Sequence, residues 1–208
     1  PTKEFFLNNV SSPGGFLSYI GLFFTQFFYY PWMGALIFIF LLFVVQLLII
    51  KAFKLHQKYY PLSFIPSLLL LLTLSQLGYY IYILFSNGYI FSHVFGIIIV
   101  LVAFWIYRNI NKSNLRLLFS LLFMIVFFHV IGFYSLLTVV LFVVFEIVTL
   151  KKNNWKSHLI IIILSLIFIG GIPFLYYRFF SIVTSFPNIY TKALPSIAIT
   201  GDYLLLMP

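Results

Sequence analysis

Four ionisable side chains are the residues of this sequence best suited to acid–base or phosphate chemistry. A carboxylate near imidazoles can act as a general base or bind a divalent cation, and a guanidinium group suits a phosphate. Each side chain also has an ordinary alternative: a solvated loop charge, a packed histidine, or an arginine that extends out of the membrane. The four residues are Glu4, His93, His129 and Arg178.

The stretch "SSPGGFLSYIGLFFTQFFYYPW", residues 11–32, adds an anion-binding pattern. Ser12 before Pro13 predicts a helix start, because a hydroxyl caps the first turn and proline suits the first helical position. Gly14 and Gly15 would leave backbone N–H groups accessible there, which favours an anion such as a lipid phosphate. The alternative is a plain turn followed by a cap.

The same stretch is too short to cross a membrane. About 15 helical residues span roughly 22 Å, and Pro31 interrupts the helix before the next apolar run. We therefore predict a helix that lies in the membrane interface, with Tyr29, Tyr30 and Trp32 at the membrane surface. Gln26 can join a polar site if its side chain faces the bundle.

The composition indicates a helical membrane protein. Hydrophobic residues make up 63% of the 208 residues and charged residues only 7%, whereas soluble domains carry about 25% charged residues. Continuously apolar runs such as "GALIFIFLLFVVQLLII" favour helices over an alternating barrel. The sequence has no cysteine, which excludes thiolate chemistry. It ends at "YLLLMP" and does not begin with Met, so we expect a piece of a longer polytopic protein.

Six apolar segments can cross the membrane, and together they make an all-α bundle over residues 33–177. Two of them form one apolar stretch that is too long for an ordinary helix. The segment "HVIGFYS", residues 129–135, is the predicted turn between them, since it contains Gly132. The six predicted spans are 33–50, 62–85, 89–107, 115–133, 135–150 and 158–177.

The basic residues mark alternate connections between these spans. Nine of the twelve lie in or beside three connections, three at each: Lys51, Lys54, Lys58, Arg108, Lys112, Arg116, Lys151, Lys152 and Lys156. The positive-inside rule then predicts that residues 51–61, 108–114 and 151–157 are cytoplasmic, in a bacterial cytoplasmic (inner) membrane. The net charge of +9 therefore reports topology. A nucleic-acid or anionic-lipid role for these connections is the less favoured alternative, and we do not expect a nucleic-acid partner.

This orientation places residues 1–32, with Glu4, and residues 178–208 on the external face. His93 and His129 would each lie about one helical turn below that surface, and the arginine that ends the last span would lie at it. All four candidate residues can then converge on one external pocket beneath the interfacial helix. An external first segment also predicts a further span upstream.

Other polar residues have structural explanations. Glu146 lies about one turn before Lys151 and Lys152, and pairing with them is the expected role. A polar cluster inside the second span, Gln76 with Thr73 and Ser75, is expected to hold helices together. Gly170, Gly171 and Pro173 predict a kink or an early exit of the last span.

The N-terminal 40 residues carry a resemblance. The segment "FFLNNVSSPGGFLSYIGLFFTQFFYYPWMGALI" resembles an uncharacterised family of multispan proteins from Bacteroidetes-type bacteria. The matching elements are Glu4, Pro13-Gly14-Gly15, Tyr19, Gln26-Phe27, Tyr30-Pro31 and Gly34-Ala35-Leu36. The family carries no activity that could be transferred.

In layout the chain is also similar to the C-type glycosyltransferases. Those enzymes have an acidic first external loop, short juxtamembrane helices and many spans, and they use a polyprenyl-phosphate sugar on the external face. For an enzyme of this kind, depth and residue chemistry predict Glu4, His93 and His129 as catalytic residues and Arg178, Gly14, Gly15 and Gln26 as phosphate- or substrate-binding residues. The paired acidic motif usual in that superfamily is missing from these residues.

Three functions compete. The first is a lipid-linked glycan transferase module with an external site, whose partners are membrane lipid and a polyprenyl-phosphate-linked substrate. The second is a non-enzymatic membrane anchor or scaffold within a larger protein or complex. The third is a transporter, which a midplane almost free of charge disfavours. No cofactor is evident, although a divalent cation could serve the first function.

Overall fold

The computed structural model describes residues 13–77, 88–149 and 155–180. Within these ranges the chain forms seven α-helices and two short 3₁₀-helices, and it forms no strand there. The predicted all-α class is confirmed at this level. The α-helices are α1 (Gly15–Thr25), α2 (Pro31–Phe53), α3 (Phe64–Leu77), α4 (Tyr89–Asn109), α5 (Ser113–Ile131), α6 (Phe133–Val148) and α7 (Trp155–Phe180).

Four of these helices are long and apolar enough to cross a membrane. Their spanning segments are Pro31–Phe53, Ile90–Asn109, Ser113–Ile131 and His158–Leu175. Helix α6 is apolar but shorter, at 16 residues or about 24 Å. The predicted span 62–85 lies partly outside the described residues. The structure therefore supports a membrane protein, and six spans stay a prediction.

The helical conformation is interrupted between α1 and α2, at Tyr30. A 3₁₀-helix, Gln26–Tyr29, follows α1, and Tyr30 is extended with φ −106° and ψ 100°. Pro31 then occupies the first turn of α2, where its missing N–H costs nothing. Residues 16–30 are thus a separate helical unit, in line with the predicted break. Its tilt to the membrane plane stays a prediction.

The start of α1 differs from the sequence prediction. Pro13 and Gly14 form a turn, and Gly14 precedes the helix with φ 74°, a left-handed conformation that glycine adopts without strain. Pro13 is therefore not the first helical residue, and the predicted serine cap at Ser12 lies outside the described residues. The helix begins at Gly15 because Gly14, unlike a proline, can adopt the left-handed conformation of the preceding turn.

Gly132 divides the long apolar stretch into α5 and α6. It has φ 55° and ψ −124°, and it is the single residue between the two helices. This turn lies inside the segment 129–135. Phe119 and Phe123 of α5 then meet Phe142 of α6 with ring centroids 6.0 and 6.1 Å apart, so the two helices form a packed hairpin.

Helix α4 is central to the packing. One buried apolar cluster joins its C-terminal half to α5 and α6, and a second joins its N-terminal half to α2 and α3. Tyr107 stacks on Phe142 with centroids 4.0 Å apart, a contact worth about 1 kcal/mol beyond its area. Helix α7 continues through Pro173 to Phe180, so Gly170, Gly171 and Pro173 do not end the helix, and the predicted kink or early exit from the membrane stays a prediction.

Contacts between helix termini define two ends of the bundle. The capped end, across which α1 lies, contains the starts of α2, α4 and α6 and the end of α5. The basic end contains the ends of α2, α4 and α6 and the starts of α5 and α7. There Arg108 Nη1 donates to the Ala52 carbonyl at 2.8 Å, and Phe53 packs on Phe104 with centroids 5.1 Å apart. Lysine and arginine gather at the second end.

Candidate functional site

Helix α1 touches three helix termini in turn across the capped end. The Gly14 N–H donates to the His129 carbonyl at the end of α5, over 2.9 Å. Gly21 lies against the start of α4, and Phe28 lies against Gly34 at the start of α2. The unit formed by α1 and its 3₁₀ extension therefore runs across one end of the bundle.

Close backbone contact seats α1 on α4. A Cβ added at Gly21 would overlap Ser92 Oγ and the Gly88 carbonyl oxygen. Ser92 Oγ donates to the Leu17 carbonyl at 3.3 Å, and Leu17 is fully buried. Helix α1 is therefore packed on protein over one face, and its place in the membrane interface stays a prediction.

The aromatic residues of this unit divide between protein and surroundings. Phe24 packs on Phe95 with ring centroids 4.8 Å apart, and Phe28 packs on Phe91 at 5.5 Å. Phe16 and Phe23 are exposed, as the predicted interfacial placement requires of lipid-facing rings. Part of the aromatic surface of this unit thus serves tertiary packing.

His93 lies in the second turn of α4, the helix on which α1 packs. Its Nδ1 shares a hydrogen bond with the Tyr134 hydroxyl in the first turn of α6. Gly96 makes room for the Tyr134 ring, since an added Cβ there would be 2.6 Å from that ring. Tyr134 is fully buried, and sequence reasoning missed it because tyrosine is common near membrane surfaces.

The other predicted site residues fall into two groups. Gly14 and Gly15 are buried, and the Gly14 amide bonds His129, which is itself half-buried. Gln26 and Arg178 are exposed. Glu4 lies outside the described residues. The structure thus joins Gly14 to His129 and His93 to Tyr134, and the catalytic and phosphate-binding roles stay predictions.

A second polar centre lies at the basic end around Glu146, which is fully buried. Its Oε1 accepts from the Tyr107 hydroxyl at 2.7 Å and from Arg116 Nη1 at 3.4 Å. Its Oε2 pairs with Nδ1 of His158. Tyr107, Arg116 and His158 belong to α4, α5 and α7, so one carboxylate from α6 contacts three other helices. We call these four residues the Glu146 centre.

Aromatic rings and a carbonyl hold the guanidinium group of Arg116. Its Nε donates to the Ile110 carbonyl at 2.7 Å. The group lies 5.9 Å from the ring centroid of Tyr107 and 5.4 Å from that of Phe145, within the range of cation–π attraction. The side chains of Arg116 and His158 are only 16% and 15% exposed, so water screens the Arg116–Glu146 ion pair weakly.

Pairing is a physical requirement for Glu146. An isolated carboxylate in an apolar interior is strongly disfavoured, whereas a paired and hydrogen-bonded one is tolerated. The predicted partners Lys151 and Lys152 lie outside the described residues. Within those residues the partners come from other helices. The sequence held one signal for these partners, their position along the helices. Tyr107, Arg116 and His158 all lie within about two turns of the basic end.

The chemistry open to each centre differs. The Glu146 centre pairs a carboxylate with an imidazole, a combination that can exchange a proton. The capped end offers an imidazole and a phenol. No group of three or more metal-binding side chains occurs among the described residues. The predicted divalent cation is therefore untested.

Comparison with known proteins identifies the family and no activity. The model of DUF6057, a family of unknown function, matches residues 1–206, so the chain belongs to that family. No curated protein and no solved structure matches the chain. The expected membership of an uncharacterised family is confirmed, and it extends far beyond the first 40 residues. The bacterial source and the likeness to C-type glycosyltransferases stay predictions.

Proposed function

We propose that this chain is a non-enzymatic membrane module, a helix bundle on which a partner subunit or another part of the protein assembles. The observation that carries the proposal is the Glu146 centre. One buried carboxylate joins α6 to α4, α5 and α7 through three side chains. That arrangement fits a structural junction between helices.

Polar contacts have a particular role inside a membrane. Lipid tails are as apolar as leucine, so the hydrophobic effect does not drive helices together there, and packing and hydrogen bonds do so instead. Two other hydrogen bonds also join neighbouring helices. Ser67 Oγ donates to the Leu42 carbonyl at 3.3 Å, and Arg108 Nη1 donates to that of Ala52. These bonds join α3 to α2 and α4 to α2.

An apolar seam on α2 offers a surface for assembly. Leu36, Phe40, Phe43 and Leu47 are all exposed, between 43% and 64%. Their spacing of four, three and four residues puts them on one face of the helix and is typical of helix–helix seams. A partner helix could pack there as knobs into holes, and lipid would cover the seam otherwise.

The test compares folding with function in variants of the polar centres. Each variant is expressed in a strain that lacks the gene. If the chain is a scaffold, complementation by a variant should fall only in proportion to the amount of folded protein that remains. His93→Gln and Glu146→Gln are the informative variants, with folded protein measured by thermal unfolding in detergent. A variant that is fully folded and abundant but inactive would contradict the scaffold and indicate a chemical role for that side chain.

A second candidate is a lipid-linked glycan transferase with an external site. The observation that favours it is helix α1, which lies across the capped end and packs on α4, the helix that carries His93. An imidazole near such a helix suits a phosphate-bearing amphiphile, for which Glu4 and Arg178 would supply the base and the phosphate contact.

Photolabelling separates this candidate from the scaffold. A photoreactive polyprenyl-phosphate probe should label residues of α1 or the start of α4, and His93→Phe should reduce that labelling at equal amounts of folded protein. Tyr134→Phe serves as the matched variant, since it removes the hydroxyl partner and keeps the imidazole. Labelling spread evenly over lipid-facing helices would exclude a specific external site.

A further inference from the structure

The connection from α2 to α3 at the basic end combines exposed lysines with exposed aromatic and aliphatic side chains. We propose that this segment, residues 51–64, binds the phosphodiester headgroups of anionic phospholipids. The proposal goes beyond the scaffold function, because it assigns a ligand class to a surface that the Glu146 centre does not use. We call this segment the basic segment.

The local backbone presents the lysines outward. Helix α2 ends where Lys54 adopts a left-handed conformation with φ 48°, and a 3₁₀-helix, Gln57–Ser63, leads into α3. Lys51, Lys54 and Lys58 are all exposed. Arg108 fixes the end of α2 through the Ala52 carbonyl, so the segment is anchored to the bundle and not a loose loop.

Among the described residues, the lysines of the basic segment have no acidic side chain to pair with. The sequence has twelve basic and three acidic residues. Glu146 is the one acidic residue within the described ranges, and it is buried among Tyr107, Arg116 and His158. A carboxylate held in this way does not reach the surface. The described structure therefore offers the basic segment no acidic partner.

The neighbouring apolar side chains favour a lipid over a free anion. Phe53, Tyr59, Leu62 and Phe64 are between 41% and 51% exposed within the same segment. Aromatic rings settle at the level of the headgroups, and lysine stems lie along acyl chains while their ammonium groups reach phosphates. An anionic phospholipid satisfies both kinds of group, whereas inorganic phosphate satisfies only the ammonium groups.

The experiment places the protein in nanodiscs of phosphatidylcholine with 0 or roughly 30% phosphatidylglycerol, and measures retained lipid by native mass spectrometry. A lysine beside an anionic surface contributes about fivefold in binding. We expect the parent protein to retain phosphatidylglycerol selectively, and the triple variant Lys51→Gln, Lys54→Gln, Lys58→Gln to lose at least about fivefold of that selectivity.

Two control variants and one further measurement keep the result interpretable. The corresponding triple lysine-to-arginine variant preserves charge and should retain the lipid. A second triple variant, Lys151→Gln, Lys152→Gln, Lys156→Gln, removes equal charge elsewhere and should keep most of the selectivity. Nanodiscs expose both leaflets, so a changed insertion orientation cannot mimic the loss. If the first triple variant does not fold, Lys58→Gln alone should still show a reduced selectivity.

The outcomes are distinct. Equal phosphatidylglycerol retention by the parent protein and the triple glutamine variant would overturn the proposal and leave the lysines as topology determinants only. Equal loss in both glutamine variants would also overturn it, because net charge and not the basic segment would then be responsible. Saturating competition by inorganic phosphate would show a free-anion site in place of a lipid site.

Discussion

The two ends of the bundle use different interactions to join helices. At the capped end, α1 is held by backbone contacts of small residues and by neutral hydrogen bonds, such as Gly14 to His129 and Ser92 to Leu17. At the basic end, a buried carboxylate contacts a guanidinium group, an imidazole and a phenol. Neutral contacts are individually weak, while a buried charge is costly once its partner is lost. The ends should therefore respond very differently to substitution.

The largest contrast concerns which side of the membrane each end faces. Single cysteines in this cysteine-free chain report it, because Gln26 at the capped end and Asn114 at the basic end are both exposed. We expect an impermeant thiol reagent to label Gln26→Cys in intact cells and to leave Asn114→Cys unlabelled until the membrane is permeabilised. Labelling of Asn114→Cys in intact cells would reverse the orientation predicted from the basic connections.

Loss of the Glu146 carboxylate should have the largest effect on stability. Glu146→Ala leaves Arg116 and His158 without their shared partner in a poorly hydrated site, and breaking a buried pair costs about 3–5 kcal/mol. Unfolding in mixed detergent micelles measures the free-energy change. In a double-mutant cycle, Arg116→Gln in the Glu146→Gln background should cost much less than Arg116→Gln alone. Strictly additive costs would show that the pair is not coupled.

At the capped end, a bulkier residue at Gly21 should displace α1. Gly21→Leu overlaps Ser92 and the backbone at Gly88, and overpacking of this kind costs about 1–3 kcal/mol. Cross-linking between cysteines placed at Phe24 and Phe95, whose rings pack with centroids 4.8 Å apart, should fall. Gly170→Ala is the matched control, since a Cβ there meets nothing within 4 Å, and it should leave stability unchanged or slightly raised. An undisturbed α1 in the Gly21 variant would refute its close seating.

The smallest effect should come from the His93–Tyr134 hydrogen bond. Tyr134→Phe removes the hydroxyl and keeps the ring that packs against Gly96, so the cost should be about 1 kcal/mol, that of one net hydrogen bond. Unfolding under the conditions used for Glu146 makes the two ends directly comparable. If Tyr134→Phe lowered the free energy of unfolding as much as Glu146→Ala does, the two ends would not differ in the strength of their polar contacts.

Local sequence signals determined the class of the protein and several of its boundaries. Continuous apolar runs with few charges require helices that satisfy their own backbone, so the all-α class follows from composition. Gly132 divides α5 from α6, and the break at Tyr30 precedes Pro31, because backbone conformation at such residues depends mainly on their own chemistry. The alternation of basic connections is also a local pattern, and it predicts orientation without any contact.

Only the tertiary structure decided which side chains meet. These helices are apolar around most of their circumference, so the sequence carries no stripe that shows which face turns inward. Sequence proximity favours Lys151 and Lys152 as partners of Glu146, and both lie outside the described residues. The described structure turns Glu146 toward Tyr107, Arg116 and His158. The Gly14 N–H, which the sequence predicts to be accessible to an anion, donates to the His129 carbonyl at the end of α5. That partner too is distant in sequence. Helix rotation and packing fix such partners, and both depend on all the helices at once.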